Sequence, residues 1–224
     1  MYICTMRKVN YVDIPEAKLD KLEQFIRGSL LGDGSIPKKE KASRNYRMTF
    51  GHGEKQKEYL KWKHDFLEEY LLAGAIVKVI AKSNRYISGQ CVSYHSKSKA
   101  HPIFSKYREL YYKDKREINR EDIVNLDLFG LAIWYMDDGN ISKGKKRSPH
   151  IELNTQSFMS EDVTFLAQLL RDKWGIKCAR MTHSNIIRIS SYDCKKFLNL
   201  IEPYKINCIA YKWVLGKEEE LLES

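Results

Sequence analysis

The chain has 224 residues, of which 43% are hydrophobic and 30% are charged, and its formal net charge is +10. This hydrophobic content is typical of a globular protein with a sizeable core, and the basic excess favours a polyanionic partner, most simply nucleic acid. No apolar run approaches the roughly 18 residues of a membrane span, and the start of the chain lacks a signal-peptide core, so we expect neither a membrane protein nor a secreted one.

The cysteines favour a reducing environment. Their number, five, is odd, and no two of them have the spacing of a metal site. They are Cys4, Cys91, Cys178, Cys194 and Cys208. We therefore expect reduced thiols in an intracellular compartment, either a bacterial or phage-infected cytoplasm or an organelle.

The first long element is an apolar helical pattern that begins after Asp13 and stops at Asp33-Gly34. Gly28 and Gly32 lie four residues apart on one face of this helix, where small residues allow a second helix to approach closely. A glycine just past a helix readily takes the left-handed conformation, so we expect Gly34 to end the helix and Asp33 to lie on its final turn.

The remainder of the first half alternates strands and helices. In the first strand apolar and polar residues alternate, and the helix after it is amphipathic, with Tyr59, Trp62 and Phe66 on its apolar face. In chain order the pattern predicts a basic loop at 35–45, a strand at 46–51, a helix ending at Gly74, strands near 75–82 and 86–95, and a helix near 101–112.

The second half repeats this order. An apolar run from Asp127 ends at Asp138-Gly139, just as the first run ends at Asp33-Gly34. In chain order the pattern then predicts a basic loop at 143–148, a strand at 150–156, a helix from 160 to Gly175, strands near 176–183 and 186–191, and a helix near 193–202.

The spacing of the two halves is nearly constant. Gly74 and Gly175, which follow the two amphipathic helices, are 101 residues apart, and Asp33 and Asp138 are 105 residues apart. We infer an α+β fold of duplicated αββαββα half-domains with pseudo-two-fold symmetry, whose two curved antiparallel sheets of four strands each form a DNA-binding saddle. The predicted organisation is a first half-domain at 13–112, a connector at 113–126, a second half-domain at 127–213 and an acidic tail at 214–224.

Asp33 and Asp138 are the candidate catalytic residues. The C-terminus of a helix carries the negative pole of its dipole, so a carboxylate is unfavourable there, and two such ends side by side are more so. A divalent cation between them removes the difficulty, because hard cations take carboxylate oxygens as ligands. Metals held by shared carboxylates activate water and neutralise charge in phosphodiester hydrolysis, so the pair predicts a metal site split between the two halves.

At these motifs the chain resembles the LAGLIDADG homing endonucleases in their single-chain, two-motif form. The second motif departs from the pattern, with Ile133 in place of its first glycine and Asp137 before the acidic position, a variation found among single-chain members. The first motif matches at Gly28, Gly32, Asp33 and Gly34.

The resemblance implies a site-specific endonuclease that makes a staggered double-strand break in a long, asymmetric DNA target. It implies Mg²⁺ as the cofactor, with Mn²⁺ able to substitute and Ca²⁺ binding without efficient cleavage. Asp33 and Asp138 are expected to hold the metal together with the main-chain carbonyls of Gly32 and Asp137. Because both motifs belong to one chain, we expect a monomer with double-stranded DNA as its partner and no obligate protein partner.

Two lysines are further catalytic candidates. Lys212 resembles the basic residue that follows the second repeat in this family, and Lys115 lies in the matching connector after the first repeat, where Lys113 aligns almost as well. A cation near the scissile phosphate stabilises developing charge or positions water.

The alternating strands and the basic loops form the candidate DNA-binding surface. The polar outer face of such a sheet can lie in the major groove, where base edges present a unique code of donors and acceptors. We expect cationic side chains to contact guanines or phosphates, and amide or imidazole side chains to read base edges. The candidates are Arg44, Arg47, Lys78, Lys82, Arg85, Lys143, Lys145, Lys146, Arg147, Asn154, Gln156, Arg180, His183 and Arg188.

Two other classes of function remain open at this point. Some relatives in this family are intron-splicing RNA maturases that do not cleave, and a DNA-binding regulator can use the same scaffold. The pair Asp33 and Asp138 favours cleavage, because a protein that has lost the activity has no reason to keep both. We do not expect an intein, because the chain neither starts with Cys or Ser nor ends in His-Asn.

Overall fold

A computed structural model describes residues 13–39, 42–82, 90–144 and 147–215 of the chain. The order of its elements follows the predicted alternation with ends shifted by a few residues, except for two elements that were not predicted, a short helix in the connector and a strand directly after the second motif helix. The elements are α1 (Glu16–Leu31), β1 (Thr49–Gly53), α2 (Lys57–Glu68), β2 (Ile76–Lys82), β3 (Gln90–Lys97), α3 (Pro102–Tyr111), α4 (Arg120–Ile123), α5 (Leu128–Asp138), β4 (Gly139–Gly144), β5 (Arg147–Leu153), α6 (Ser160–Trp174), β6 (Cys178–Met181), β7 (Ile186–Ile189) and α7 (Cys194–Ile201).

The two motif helices, α1 and α5, pack against each other in the centre of the molecule, and α5 is buried from Phe129 to Asp137. They touch through glycines. A Cβ atom built on Gly28 would lie 2.3 Å from the carbonyl oxygen of Gly130, and one built on Gly32 would lie 2.3 Å from the Cβ of Asp137. Both distances are far below van der Waals contact, so the predicted close approach at Gly28 and Gly32 is confirmed.

Each half contains one antiparallel sheet, as predicted. The second sheet has the expected four strands, in the order β4-β5-β7-β6, whereas the first has three within the described residues, in the order β1-β3-β2. The place of a fourth strand is taken by a single bridge between Ser35 and Thr49. Pro37, two residues further on, has no N–H with which to continue that ladder.

The hairpin of the second sheet extends into the predicted basic loop at 143–148. Strand β4 continues to Gly144 and β5 begins at Arg147. The two strands pair from Gly139, opposite Leu153, to Gly144, opposite Arg147. Backbone pairing therefore replaces most of the loop that the run of basic residues led us to expect.

The glycines after the motif helices do not take the predicted left-handed conformation. Gly32, rather than Gly34, caps α1 with φ −107°, and Gly139 caps α5 with φ −82°. Among the described glycines only Gly175, at the end of α6, has a positive φ, of 62°. Position 139 needs glycine for space instead, because a Cβ there would lie 2.1 Å from the ring of Tyr135.

The helices in the described ranges are all too short or too polar to cross a bilayer. Four of the described cysteines form no disulfide, namely Cys91, Cys178, Cys194 and Cys208. Cys4 lies outside the described residues.

Candidate active site and nucleic-acid interface

Asp33 and Asp138 lie where the two motif helices end. Asp33 is two residues beyond the end of α1, its side chain is 35% exposed, and Asp138 is the last residue of α5. Partial burial, followed by the carboxylate of Asp137, raises the pKa of Asp33 to about 6. Burial, followed by the carboxylates of Asp33 and Asp137, raises the pKa of Asp138 to about 7. Burial and the neighbouring carboxylates thus disfavour the ionised form of both motif aspartates, and the positive charges of Arg116 and Lys212 oppose that effect.

Asp137 is held inside the protein by three hydrogen-bond donors. Its side chain and that of Lys63 are both 0% exposed, and Lys63 Nζ donates to Asp137 Oδ1 over 2.6 Å. The Tyr59 hydroxyl donates to the same oxygen over 2.8 Å, and the Asp33 backbone N–H donates to Oδ2 over 3.2 Å. Asp137 therefore joins α2 of the first half to both motifs.

His52, on β1, also approaches Asp33. Its Nδ1 lies 3.6 Å from Asp33 Oδ2 and 3.2 Å from Gln56 Oε1. Burial, followed by the positive charge of Lys63, lowers the pKa of His52 to about 4, so the imidazole is neutral at physiological pH. Its Nε2 is buried and has no hydrogen-bond partner among the described residues.

One cation reaches each of the two carbonyls that the family resemblance names as metal ligands, Arg116 from the connector and Lys212 from the second half. Arg116 donates from Nη1 to the carbonyl of Gly32 over 3.2 Å and to that of Gly34 over 2.9 Å. Lys212 donates from Nζ to the carbonyl of Asp137 over 3.1 Å. The arrangement follows the pseudo-symmetry of the two motifs.

The structure brings Lys212 to the site, and in the connector the side chain that reaches a carbonyl of the first motif is that of Arg116 and not that of the candidate Lys115. Lys115 is exposed, and its carbonyl accepts a hydrogen bond from the Lys113 N–H over 3.2 Å. Burial lowers the pKa of Lys212, and the neighbouring carboxylates oppose that effect. Lys212 thus shares the electrostatic environment of the motif aspartates.

The donor atoms at the site suit a divalent cation. An oxygen of Asp33, an oxygen of Asp137 and a ring nitrogen of His52 lie within 4.8 Å of one another. Carboxylate oxygens and neutral imidazole nitrogens are common ligands of divalent metals. Since Asp137 is already paired with Lys63, the charge that needs a cation is that of Asp33 and Asp138.

Sequence reasoning did not assign Lys63, His52 or Arg116 to the active site, and the expectation that His52 contacts DNA or solvent from its strand is wrong, because its side chain is buried beside Asp33. Lys63 carries a usable signal, because it falls on the apolar face of an amphipathic helix four residues after Tyr59, where a charged group needs a buried partner. His52 carries a weaker one, since it alternates with the buried Phe50 on β1 and therefore faces the core. Arg116 carries none, because it is one of several cations in a charged connector.

The candidate DNA contacts of the first sheet lie on opposite faces. Arg47 is exposed and precedes β1 at a position that alternates away from the buried His52. Residues directly opposite each other in an antiparallel ladder point to the same face of the sheet. Tyr94 of β3 lies opposite both Lys78 and His52, so Lys78 is on the same face as His52, and Lys82, four residues further along β2, is on that face too. The phase of β2 is set by its pairing with β3, and the sequence of β2 alone does not show it.

The second sheet places Arg188 in a partly buried ion-pair network. Arg188 pairs in the ladder with Glu152 and donates to it from Nη2 over 2.9 Å, while His150 Nε2 lies 3.0 Å from the same carboxylate. Arg180, by contrast, donates from Nε to Asn185 Oδ1 over 2.8 Å at the end of the β6–β7 hairpin.

The remaining candidate contacts are spread over loops and strand ends. The N–H of Asn154 donates to the carbonyl of Asp138 over 3.0 Å, and Gln156 Nε2 lies 3.4 Å from the Asn154 side chain. Arg44 is exposed, and so is His183 in the turn after β6. Lys143 and Arg147 lie on β4 and β5, and outside the described residues are Arg85, Lys145 and Lys146.

A comparison with known families accords with this geometry. The model of the LAGLIDADG DNA endonuclease family matches residues 23–197, which include both motifs. The chain belongs to this family. Nuclease activity on DNA is the activity of the LAGLIDADG endonucleases, and the two-motif form accounts for the duplicated fold.

Curated relatives of the chain include proteins named as endonucleases. The chain is 26% identical over 196 residues to the probable intron-encoded endonuclease 1 of Wickerhamomyces canadensis, covering 85% of the chain and 82% of that protein. It is 31% identical over 134 residues to the probable intron-encoded DNA endonuclease 3 of Mycosarcoma maydis, covering 56% of the chain and 96% of that protein. It also matches protein RecA of Mycobacterium gastri at 27% identity over 212 residues, covering 88% of the chain, but it spans only 48% of that protein.

Solved structures share the fold. The homing endonuclease I-WcaI, bound to its DNA recognition sequence, matches with a TM-score of 0.76 and 25% identity, covering 88% of this chain and 87% of that one. The N-terminal LAGLIDADG domain of DUF199/WhiA matches with a TM-score of 0.51 and 15% identity, covering 94% of this chain and 89% of that one. The second match shows the fold alone.

Proposed function

We propose that this LAGLIDADG endonuclease is a homing enzyme that makes a staggered double-strand break at a long, asymmetric DNA target, with Mg²⁺ as its cofactor. The similar enzyme I-WcaI is bound to its DNA recognition sequence, which supports double-stranded DNA as the partner. Both motif aspartates belong to one chain, so the enzyme works as a monomer. Its free thiols suit an intracellular, reducing compartment.

The observation that carries this proposal is that ionisation of Asp33 and Asp138 is disfavoured in the protein without a cation. Burial and neighbouring carboxylates raise their pKa values to about 6 and about 7, so keeping both ionised at neutral pH is unfavourable in the metal-free protein. A fold gains nothing from that arrangement without a cationic ligand. A metal-dependent nuclease requires it, because the cation must be held where the phosphate arrives.

The side chains of the site have separate roles. Asp33 and Asp138, with the adjoining carbonyls, would hold the divalent cation, which supplies a water of lowered pKa and neutralises charge on the attacked phosphate. Lys212, from the second half, and Arg116, from the connector, supply positive charge beside the two carboxylates. Because the strands of a duplex are related by two-fold symmetry, each half serves one strand.

A non-cleaving RNA maturase and a DNA-binding regulator are the alternatives on this scaffold. Neither has a use for two partly buried carboxylates that repel each other, and an uncharged pair would stabilise the same fold. The two aspartates therefore favour the endonuclease.

The direct test is selection from a randomised duplex library. The protein is incubated with the library and Mg²⁺, and the broken ends are sequenced. We expect staggered ends at one recurrent sequence, and no cleavage by the double variant Asp33→Asn/Asp138→Asn. Binding to a recurrent sequence without broken ends would show that the protein is a DNA-binding regulator. A preference for structured RNA over duplex DNA would show that it is a maturase.

Calcium is expected to stabilise the protein against heat without supporting efficient cleavage. A ligand that binds only the folded state at 100 times its dissociation constant stabilises by about 2.7 kcal/mol. The melting temperature is measured with and without Ca²⁺, for the wild type and for Asp33→Asn/Asp138→Asn. The double variant should lose the shift, whereas Asp65→Asn, which removes an exposed carboxylate on α2, should keep it. An equal shift in all three would place the bound cation elsewhere.

Binding to the target should weaken steeply with salt, because basic side chains that neutralise phosphates release counterions. The logarithm of the association constant falls by about 0.9 per neutralised phosphate per logarithmic unit of salt. Arg47→Gln should reduce that slope by about 1 if Arg47 contacts a phosphate. Lys195→Gln, an exposed position on α7, serves as the matched control. A flat salt response in the wild type would argue against binding through the two sheets.

A further inference from the structure

A buried ion pair supports only one of the two motif aspartates. Lys63 and Asp137 are fully buried and 2.6 Å apart, and the Tyr59 hydroxyl donates to the same carboxylate oxygen over 2.8 Å. The other oxygen of Asp137 accepts the N–H of Asp33 over 3.2 Å. In the described part of the chain, the side chains that donate to Asp137 come from α2 of the first half, although Asp137 belongs to the second motif.

The surroundings of Lys63 hold it in place. Its Nζ lies 4.7 Å from the ring centroid of Tyr59 and 5.0 Å from that of Phe50. A fully buried ammonium group has no water around it, so it depends on the carboxylate of Asp137, and that carboxylate depends on it. Lys63 is therefore a fixed support of Asp137.

The second half lacks this support. The buried residues of α6 match those of α2 when the two helices are aligned with an offset of 103 in residue number. In this alignment Leu166 occupies the position of Lys63. Leu166 is buried and carries no charge. The residues that show the shared pattern are Tyr59, Leu60, Lys63 and Leu67 in α2 and Asp162, Val163, Leu166 and Leu170 in α6.

The motifs themselves differ in the same way. The residue before the catalytic aspartate is Gly32 in the first motif and Asp137 in the second, and the absence of a side chain at Gly32 leaves the space that Asp137 fills. Asp138 is held by its place in the last turn of α5 and by its carbonyl, which accepts the N–H of Asn154 over 3.0 Å. Asp33 lies beyond α1 and depends on Asp137 for the partner of its N–H.

We propose that Lys63 and Tyr59 are positioning residues for Asp33, and through it for the cleavage of one of the two DNA strands. The inference rests on the proposed endonuclease function. Lys63 and Tyr59 hold the Asp137 carboxylate, which holds the Asp33 N–H and the backbone that carries the Asp33 side chain. Their loss leaves Asp138 on its helix, so one strand is cut at the normal rate and the other is cut slowly.

The experiment is single-turnover cleavage of a target duplex in Mg²⁺, with each strand labelled separately. The variants are Lys63→Met, which keeps the length of the side chain, and Tyr59→Phe, which removes only the hydroxyl. Leu60→Ala is the control, because it weakens the packing of α2 and removes no donor to Asp137. We expect Lys63→Met to slow one strand by about 10-fold to 100-fold, as a misplaced reacting group does. Tyr59→Phe should slow the same strand less, and nicked duplex should accumulate with both variants.

Amide hydrogen exchange provides a readout that does not depend on cleavage. In the metal-free protein without DNA, the Asp33 amide should exchange faster relative to its neighbours in Lys63→Met and Tyr59→Phe, but not in Leu60→Ala. Equal slowing of both strands, or an unchanged Asp33 amide, would overturn the inference. If Lys63→Met no longer binds the target, the inference is judged from Tyr59→Phe alone, by whether this variant slows one strand and speeds exchange of the Asp33 amide. If the wild type cuts no duplex, the proposed function fails, and the exchange experiment still tests the support of Asp33.

Discussion

Replacement of either Asp33 or Asp138 by asparagine is expected to abolish double-strand cleavage and leave the affinity for DNA nearly unchanged. Asparagine has the same shape but no negative charge, so it cannot neutralise and hold a divalent cation as a carboxylate does. We expect the cleavage rate to fall by about 10³-fold or more, since the loss of one preorganised electrostatic partner already costs about 10²–10³. Affinity arises from contacts spread over two sheets and is little affected. Cleavage and binding are measured on the same target duplex, in Mg²⁺ and in Ca²⁺ respectively.

The stability of these variants separates loss of chemistry from loss of fold. Burial and neighbouring carboxylates raise the pKa of both aspartates, so their ionised forms are unfavourable in the folded, metal-free protein. Each asparagine variant should therefore melt at or above the temperature of the wild type in the absence of metal. Asp65→Asn, an exposed carboxylate paired with Lys61, should change neither cleavage nor stability. Continued cutting of both strands by either motif variant would remove that aspartate from the metal site.

The parts of the fold that could be predicted are those set by local pattern. The motif helices are predicted by apolar runs that stop at Asp-Gly, and the contact between them is predicted by Gly28 and Gly32 on one face of α1. The duplication follows from the constant spacing of the two halves. Such features depend on residues close together in sequence, or on a repeat that can be counted, and neither requires knowledge of the tertiary structure.

The parts that could not be predicted depend on contacts between distant residues. The faces of Lys78 and Lys82 follow from the register of β2 against β3, which no periodicity within β2 determines. Arg116, and not Lys115, donates to the carbonyl of Gly32, and this depends on how the connector is folded against the first motif. The role of Asp137 as an anchor depends on Lys63, 74 residues away in sequence.

Enlarging Gly28 by a single methyl group is expected to reduce both stability and activity. Two effects compete in Gly28→Ala, because alanine favours a helix interior by about 1 kcal/mol relative to glycine. The new Cβ, however, would lie 2.3 Å from the carbonyl oxygen of Gly130 and 2.9 Å from the Cβ of Ile133, and a backbone oxygen in a buried helix cannot move aside alone. Overpacking of this kind costs about 1–3 kcal/mol, so the helices must separate and the variant should unfold at lower urea.

The separation of the helices should cost more in cleavage than in stability. Asp33 and Asp138 are carried by the two helices that Gly28 holds together, so a small shift of α1 moves one carboxylate relative to the other. A displacement of about 1 Å at a reacting group can cost about 100-fold in rate. Gly53→Ala is the matched control, since no atom beyond its two chain neighbours lies within 4 Å of the Cβ that would be added and the backbone there, with φ −71° and ψ 171°, suits alanine. Single-turnover cleavage, measured well below the urea or thermal transition, should fall steeply in Gly28→Ala and stay unchanged in Gly53→Ala. If Gly28→Ala kept the rate of the wild type, the contact of α1 with α5 would not be what sets the distance between the two aspartates.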